Sequence, residues 1–350
     1  MPQNSNTVIE KIGHYTTWAG DLTTVIVGNI PGPSFFEELP DNQIKKHCQK
    51  IVAQTKNDLD NLAKTYERYG VSVFRPKIIN DKPCIKSCSG VNVLNPRPNI
   101  SPFDHIFCRD NKILLTWQDI ERFEDFNSIK HITNKMSNKI EIINIQPPNF
   151  YDYEYYNKLD MDLYPGDKDI LLDSPSFSPA GKDIFYSKRY VCSKKGLTKI
   201  KHTFPDANFI GLDYPITNHL DAQFRIIKEG HVISCHSKDN LINLIPQFKN
   251  WTIHHDDSWK KQKLQIIPQT PMSAWLDDDE NDASITLGFV HIKPNLVVIQ
   301  RENKNICSAL EKAKVDWILS PIKYDQYFGL AVSCATAILH RTDECIDYFS

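Results

Sequence analysis

With 350 residues, 41% of them hydrophobic and 24% charged, the chain has an ordinary globular composition and enough apolar residues for a sizeable core. A formal net charge of -2, with no basic cluster interleaved with aromatics, argues against a nucleic-acid partner. No stretch reaches the ~18 apolar residues needed to cross a bilayer, and "MPQNSNTVIEK" lacks the pattern of a signal peptide.

In chain order, the first strong element is helical. In "NQIKKHCQKIVAQTKNDLDNLAKTYERYG", residues 42–70, Ile44, Cys48, Ile51, Val52, Leu59, Leu62 and Tyr66 keep helical spacing. It leads into "VSVFRP" from Val71, a short β-rich run ending at proline. The same order, a helix or turn and then a short β-rich run closed by Pro or Asp, recurs four times. The runs are "KIEIINIQPP" from Lys139, "ANFIGLD" from Ala207, "WTIHHD" from Trp251 and "VDWILSP" from Val315, the last preceded by the helical "NKNICSALEKAK". Their starts lie roughly 45 to 70 residues apart, the spacing of one supersecondary unit per repeat. With no Gly- or Ser-rich linker between them, the five units predict one closed α/β body over residues 1–350. Residues 149–169, "NFYDYEYYNKLDMDLYPGDKD", break the pattern and read as a long surface or lid-like loop.

Four stretches carry residue types suited to chemistry. "HIFCRDNKILL" (105–115) places Arg109 and Asp110 before an apolar strand. "KDILLDSPSFSPAGKDIFY" (168–186) delivers Asp173 to a Ser/Pro-rich turn, and loops positioned by strands often carry function. In "GLDYPITNHLDAQFRII" (211–227), alternation predicts a strand. Leu220, Ala222, Phe224 and Ile226 then share one face, and His219, Asp221, Gln223 and Arg225 the other. "FGLAVSCATAILHR" (328–341) sets Cys334 among small residues that leave room for a ligand. Each has an ordinary structural reading too: a solvated strand face, a turn aspartate, a buried inert thiol.

Weaker features point elsewhere without completing a site. Cys84 and Cys88 form a C-x₃-C with no second pair, and "HHDD" at 254–257 reads as a solvated loop after a strand. There is no G-x-G-x-x-G or Walker loop, so neither a nucleotide cofactor nor a metal is expected. Nine cysteines without framework spacing suit reduced thiols in a cytoplasmic setting.

Taken in order, "LDSPSFSPAGKDIFY", "NHLDAQFRIIKEGHVIS", "PMSAWL" and "SCATAILHRTDECIDYF" resemble the arginine:glycine amidinotransferases of the pentein superfamily. The last is similar to the C-termini of cyanobacterial toxin-pathway amidinotransferases. "TTVIVG" and "YGVSVFRP" extend the collinear likeness over nearly the whole chain. The resemblance implies a five-bladed α/β propeller of ββαβ modules around a central polar channel. It makes Cys334 the nucleophile, His219 the general acid/base and Asp173 its partner. It also implies that Asp110 and Asp221 grip a guanidinium and that Ser273 lines the pocket. Glu154 and Lys238 are implied to bind substrate. Three departures stand out: Ser333 replaces the histidine usual before the cysteine, Lys238 replaces an arginine, and the segment after Asp110 is short.

The implied partners are small molecules, arginine and a primary amine acceptor, with no cofactor, and the resemblance leaves room for a homodimer. A guanidinium is planar, permanently charged and a poor electrophile. Carboxylates that accept its N–H groups hold it in place while a thiolate attacks its central carbon. A hydrolase of the same superfamily, arginine deiminase-like, is the second reading; a non-catalytic binder of guanidino compounds is the third.

Overall fold

The computed structural model describes residues 8–37, 42–78, 84–88, 91–95, 100–116, 123–145, 172–188, 193–213, 219–257, 287–325 and 330–350. Strand β1 (Leu22–Val27) is followed by helix α1 (Asn42–Arg68) and by β2 (Ser72–Phe74), which pairs parallel with β1. A separate two-stranded hairpin, β3 (Cys84–Cys88) with β4 (Val91–Asn95), comes next.

One plan then repeats. β5 (Ile106–Arg109) and β6 (Lys112–Leu115) form an antiparallel hairpin, α2 (Phe123–Thr133) crosses over, and β7 (Glu141–Asn144) lies parallel to β6. β8 (Phe177–Ala180), β9 (Asp183–Ser187), α3 (Lys194–Thr203) and β10 (Asn208–Leu212) do the same. A single helical turn, α4 (Leu220–Gln223), leads into β11 (Phe224–Lys228), followed by β12 (His231–Ser234), α5 (Lys238–Leu244) and β13 (Thr252–His255). β14 (Phe289–Lys293), β15 (Leu296–Ile299), α6 (Lys304–Lys312) and β16 (Asp316–Leu319) complete the fourth copy.

The fifth copy is split between the chain's ends. β17 (Thr336–Arg341) runs antiparallel to β1 and supplies the leading strand that the β1–α1–β2 unit lacks. Five three-stranded sheets of ββαβ modules result, the α/β propeller expected from the resemblance. Each of the five recurrent runs in the sequence is the parallel third strand of a module: β2, β7, β10, β13 and β16. A parallel partner requires a crossover, so helix-then-strand is the segment of each module long enough to leave a pattern.

Helix α1 buries Cys48, Ile51, Val52, Leu59, Leu62 and Tyr66 in the largest apolar cluster, as its spacing predicts. The same cluster holds Val25 and Val27 of β1 and residues 330–335 ahead of β17. No helix among the described residues is long and apolar enough to cross a membrane.

The strand predicted through His219 is not one. Residues 220–223 form a helical turn, and the strand begins only at Phe224. Positions i and i+4 fall on one side in both the strand and the helix periods, so Leu220 and Phe224 face the core either way. They pack with Ile226 against Leu241 and Ile245 of α5 and its C-cap, as alternation required of their side chains though not of their backbone.

Candidate active site

The chemistry-bearing residues occupy one equivalent position in successive modules, the turn just ahead of the leading strand. Asp104 lies in a 3-10 turn (Pro102–His105) that runs straight into β5. Asp173 is the N-cap of a 3-10 turn (Ser174–Ser176) before β8. His219 is the N-cap of α4, and Asp221 lies in its first turn, before β11. Cys334 precedes β17 by two residues. Residues separated by up to 230 positions in the chain thus share one address in the fold.

Several bonds tie these turns together. Ser174 Oγ donates to the Ile106 carbonyl at 2.7 Å, joining the Asp173 turn to β5. The Phe103 N–H points to the Cys334 carbonyl at 3.4 Å, joining the Asp104 turn to the cysteine segment. That segment is wound into a turn by Ala335 N–H to Ala331 O at 2.9 Å and Thr336 N–H to Ser333 O at 3.1 Å, and Gly28 N–H donates to Ala335 O at 2.8 Å. A Cβ at Gly28 would collide with the Ile100 carbonyl, so only glycine lets β1 approach here.

The central contact is His219 Nε2 to Asp173 Oδ2 at 2.7 Å, with the Asp173 side chain completely buried. Burial disfavours the imidazolium. The Asp173 charge and hydrogen bond, with Asp104 and Asp221 beyond, outweigh it and push the His219 pKa up to about 10. Cys334 is buried, and burial, Asp221 and Asp104 hold its thiol well above the ordinary range, against smaller pulls from the Ala331 backbone and Arg225. Without a bound cation the site therefore holds an imidazolium and a thiol. We expect Cys334 to react slowly with iodoacetamide at pH 8, with the rate still climbing above the ~8.5 pKa of an unperturbed thiol. A rate that levels off at or below that pH, measured by peptide mapping, would contradict this electrostatic picture.

Asp221 is held from two sides on a single oxygen. Ser333 Oγ donates to Oδ2 at 3.1 Å, and Arg225 Nη2 lies 3.4 Å from the same atom. Ser333, where the resemblance led to a histidine, thus fastens a carboxylate next to the cysteine. The polar group predicted around His219 splits: Asp221 and Arg225 stay together, whereas Gln223 turns to Cys235 Sγ at 3.3 Å and His236 Nε2 at 2.9 Å.

Asp110 does not join the cluster. It lies at the far end of β5, in the two-residue turn to β6, where Asp110 and Asn111 adopt φ of 50° and 58°. Such left-handed hairpin turns favour Asn and Asp. Its carboxylate accepts from Tyr15 Oη at 2.6 Å and lies 3.4 Å from Arg109 Nε. Asp104, buried and acting electrostatically on both His219 and Cys334, stands where Asp110 was expected. The available signal was its place directly before an apolar strand, which it shares with Asp173. The correction also accounts for the short segment after Asp110, since that residue is a hairpin tip.

Lys238 is the first residue of α5, exposed, at the same end of its sheet as His219 because Phe224 pairs with Ser234. Ser273 and Glu154, and the loop at 149–169, lie outside the described residues. "HHDD" is no solvated loop. His254 is in β13 and stacks on His231 with their ring nitrogens 3.2 Å apart, and Asp256 is buried, accepting from Asn305 Nδ2 at 3.0 Å. Among the described residues no group of three or more His, Cys, Asp or Glu could hold a metal ion.

No protein-family model matches the chain, and no curated protein matches it. Solved structures do. An inosamine-phosphate amidinotransferase from Streptomyces griseus superposes with a TM-score of 0.72 at 15% identity, over 97% of this chain and 99% of that one. An amidinotransferase of the saxitoxin biosynthetic pathway from Microseira wollei gives 0.71 at 17% identity, over 97% and 99%. A dimethylarginine dimethylaminohydrolase from Pseudomonas aeruginosa, complexed with citrulline, gives 0.57 at 10% identity, over 91% and 100%. Both reaction types occur among these neighbours, and the likeness to each is one of fold, the pentein fold.

Proposed function

We propose that the protein is an amidinotransferase that moves the amidino group of arginine to a primary amine through an amidino-cysteine intermediate. The observation that carries this reading is the convergence of His219 and its buried partner Asp173 with Cys334, Asp104 and Asp221 at the leading turns of four modules. Asp104 and Asp221 accept the N–H groups of the donor guanidinium and fix its central carbon near the sulfur.

The bound cation offsets the two carboxylates that keep Cys334 protonated, so the thiol gives its proton up to solvent more readily when a donor is present. The same charge lowers the pKa of His219 from its high resting value and readies it to give up a proton. The thiolate adds to the guanidinium carbon, and His219 protonates the departing nitrogen, releasing ornithine and leaving the amidino group on sulfur. An incoming primary amine then loses a proton to His219, takes the amidino carbon and frees the cysteine. Lys238 is assigned to the donor carboxylate, Glu154 to substrate binding and Ser273 to the pocket wall. No step calls for a cofactor.

Water attacking the same intermediate would give citrulline, so transferase and hydrolase share the catalytic groups and differ in the exclusion of water. Two features favour transfer: the higher TM-scores belong to amidinotransferases, and the Asp173 stretch reads "LDSPSF", where deiminases tend to carry Glu-Gly-Gly-Asp. Incubation with arginine and a panel of primary amines, followed by mass spectrometry, tests the proposal. Ornithine together with a guanidinylated amine is expected; citrulline as the sole product, or no turnover of arginine, would overturn it.

A further inference from the structure

Arg225 has no part in the reaction above, yet it places a second guanidinium beside the carboxylate meant for the donor's. It lies in β11, whose other inward residues, Phe224, Ile226 and Ile227, are apolar. Its side chain is only 9% exposed and its Nη2 lies 3.4 Å from Asp221 Oδ2, four residues earlier. The guanidinium carbon stands 5.4 Å from the centre of the Phe289 ring, within cation–π range. A guanidinium in such a strand loses its hydration, which an aliphatic side chain would not.

Two consequences follow from this placement. Both Arg225 and Ser333 use Oδ2 of Asp221, so Oδ1 is the oxygen turned to other work. Asp104, Asp173 and Asp221 then face two resident cations, His219 and Arg225, which leaves one negative charge in excess. That is the complement of a single guanidinium. Without Arg225 the excess would double, and Cys334 would lose a positive charge that draws its thiol toward ionisation.

We infer that Arg225 is a positioning residue of this site: it pins one oxygen of Asp221, leaves the other for the donor, and holds its charge beside the cysteine segment that Ser333 ties to the same oxygen. For the identity of the donor the inference rests on the proposed amidinotransferase reading; for the state of the thiol it does not. Ser333 is the second hand on the same oxygen and sits beside the cysteine, so donor grip and nucleophile are coupled through adjacent residues.

The test measures the rate of Cys334 alkylation by iodoacetamide at pH 9, mapped by peptide mass, together with steady-state kinetics on arginine. Wild type, Arg225→Met, Arg225→Lys and Ser333→Ala are compared, with circular dichroism reporting folding. Arg225→Met is expected to slow alkylation about 10-fold, the change in thiolate fraction for roughly one unit of pKa. Arg225→Lys keeps the charge and loses the planar fork, so it should alkylate within about 3-fold of wild type while KM for arginine rises roughly 10-fold. Ser333→Ala should leave alkylation near wild type and raise KM a few-fold. A folded Arg225→Met protein with wild-type alkylation and KM would overturn the inference. Should that variant not fold, Arg225→Lys with unchanged KM would do so. Wild-type protein that makes neither ornithine nor citrulline would sink the amidinotransferase reading alone. The donor-side claim would then be read from protection of Cys334 against alkylation by added arginine, expected in wild type and weakened in Arg225→Lys.

Discussion

Cys334→Ala is expected to leave a folded protein whose turnover of arginine falls by about 10⁴-fold or more, the scale seen when a nucleophile is deleted. The fold should tolerate the change. Cys334 is packed among Val332, Ala335 and Leu330, and removing one sulfur there costs about 1 kcal/mol. Cys48, Cys108 and Cys345 cannot replace it. Burial raises the Cys48 thiol to about 11 and Cys108 higher still, and neither acquires a histidine or a carboxylate clamp. Cys345 is exposed near the C-terminus and accepts from Arg109 Nη2 at 3.2 Å, far along the fold from His219. Mixing wild-type protein with arginine, quenching in acid and mapping peptides should therefore show the amidino adduct at Cys334 alone. An adduct at Cys345, or an alanine variant within 10-fold of wild type, would remove Cys334 from the chemistry.

What could be read from the sequence follows from how much chain each feature occupies. The crossover of a parallel strand needs a helix and a strand together, so β2, β7, β10, β13 and β16 all announced themselves. The antiparallel hairpins are built from strands of four to six residues, some joined by two-residue turns, too short for a periodic signal. That is why Asp110 drew attention that belonged to Asp104. A charged dipeptide before an apolar run looks the same whether it begins a strand or turns a hairpin, and only the positive φ at Asp110 and Asn111 tells them apart. The segment at His219 shows the opposite case. Its packing was legible and its backbone was not, because a spacing of four serves strand and helix alike. The contact of Ser333 with Asp221 had no sequence signature at all, since it joins positions 112 residues apart, whereas Arg225 lies only four residues from Asp221 and already shared its predicted face.

Pseudo-symmetry explains why functional residues in this chain form no compact motif. Among the described residues four modules contribute the turn before their leading strand, and a turn of three or four residues carries one or two useful side chains. Collinear order along the chain is then the strongest sequence evidence available for such a site.

Asp173→Asn is expected to lower kcat by roughly 10³ to 10⁴-fold, the effect known for amide replacement of a buried histidine partner, while KM for arginine changes far less. Asp173 touches His219 and sits behind it, completely buried, with its Oδ2 2.7 Å from Nε2. An amide fills the same volume but cannot balance an imidazolium. The effect on pH dependence has a definite sign. Burial pulls the His219 pKa down, but Asp173, with Asp104 and Asp221, pushes it up to about 10, above the 6.5 of an ordinary histidine. A proton held more tightly in the folded state stabilises that state fully below pH ~6.5, and this contribution is lost as the pH rises through about 10. Chemical denaturation of the wild-type protein should therefore show stability declining between about pH 6.5 and 10. In Asp173→Asn the main source of the upward push is gone and burial remains, so His219 titrates at a much lower pH and that part of the decline disappears. Ring NMR shifts of His219 would follow the same titration directly. A variant with near wild-type kcat, or one whose stability falls between about pH 6.5 and 10 as steeply as wild type, would show that Asp173 does not hold the charge on this histidine.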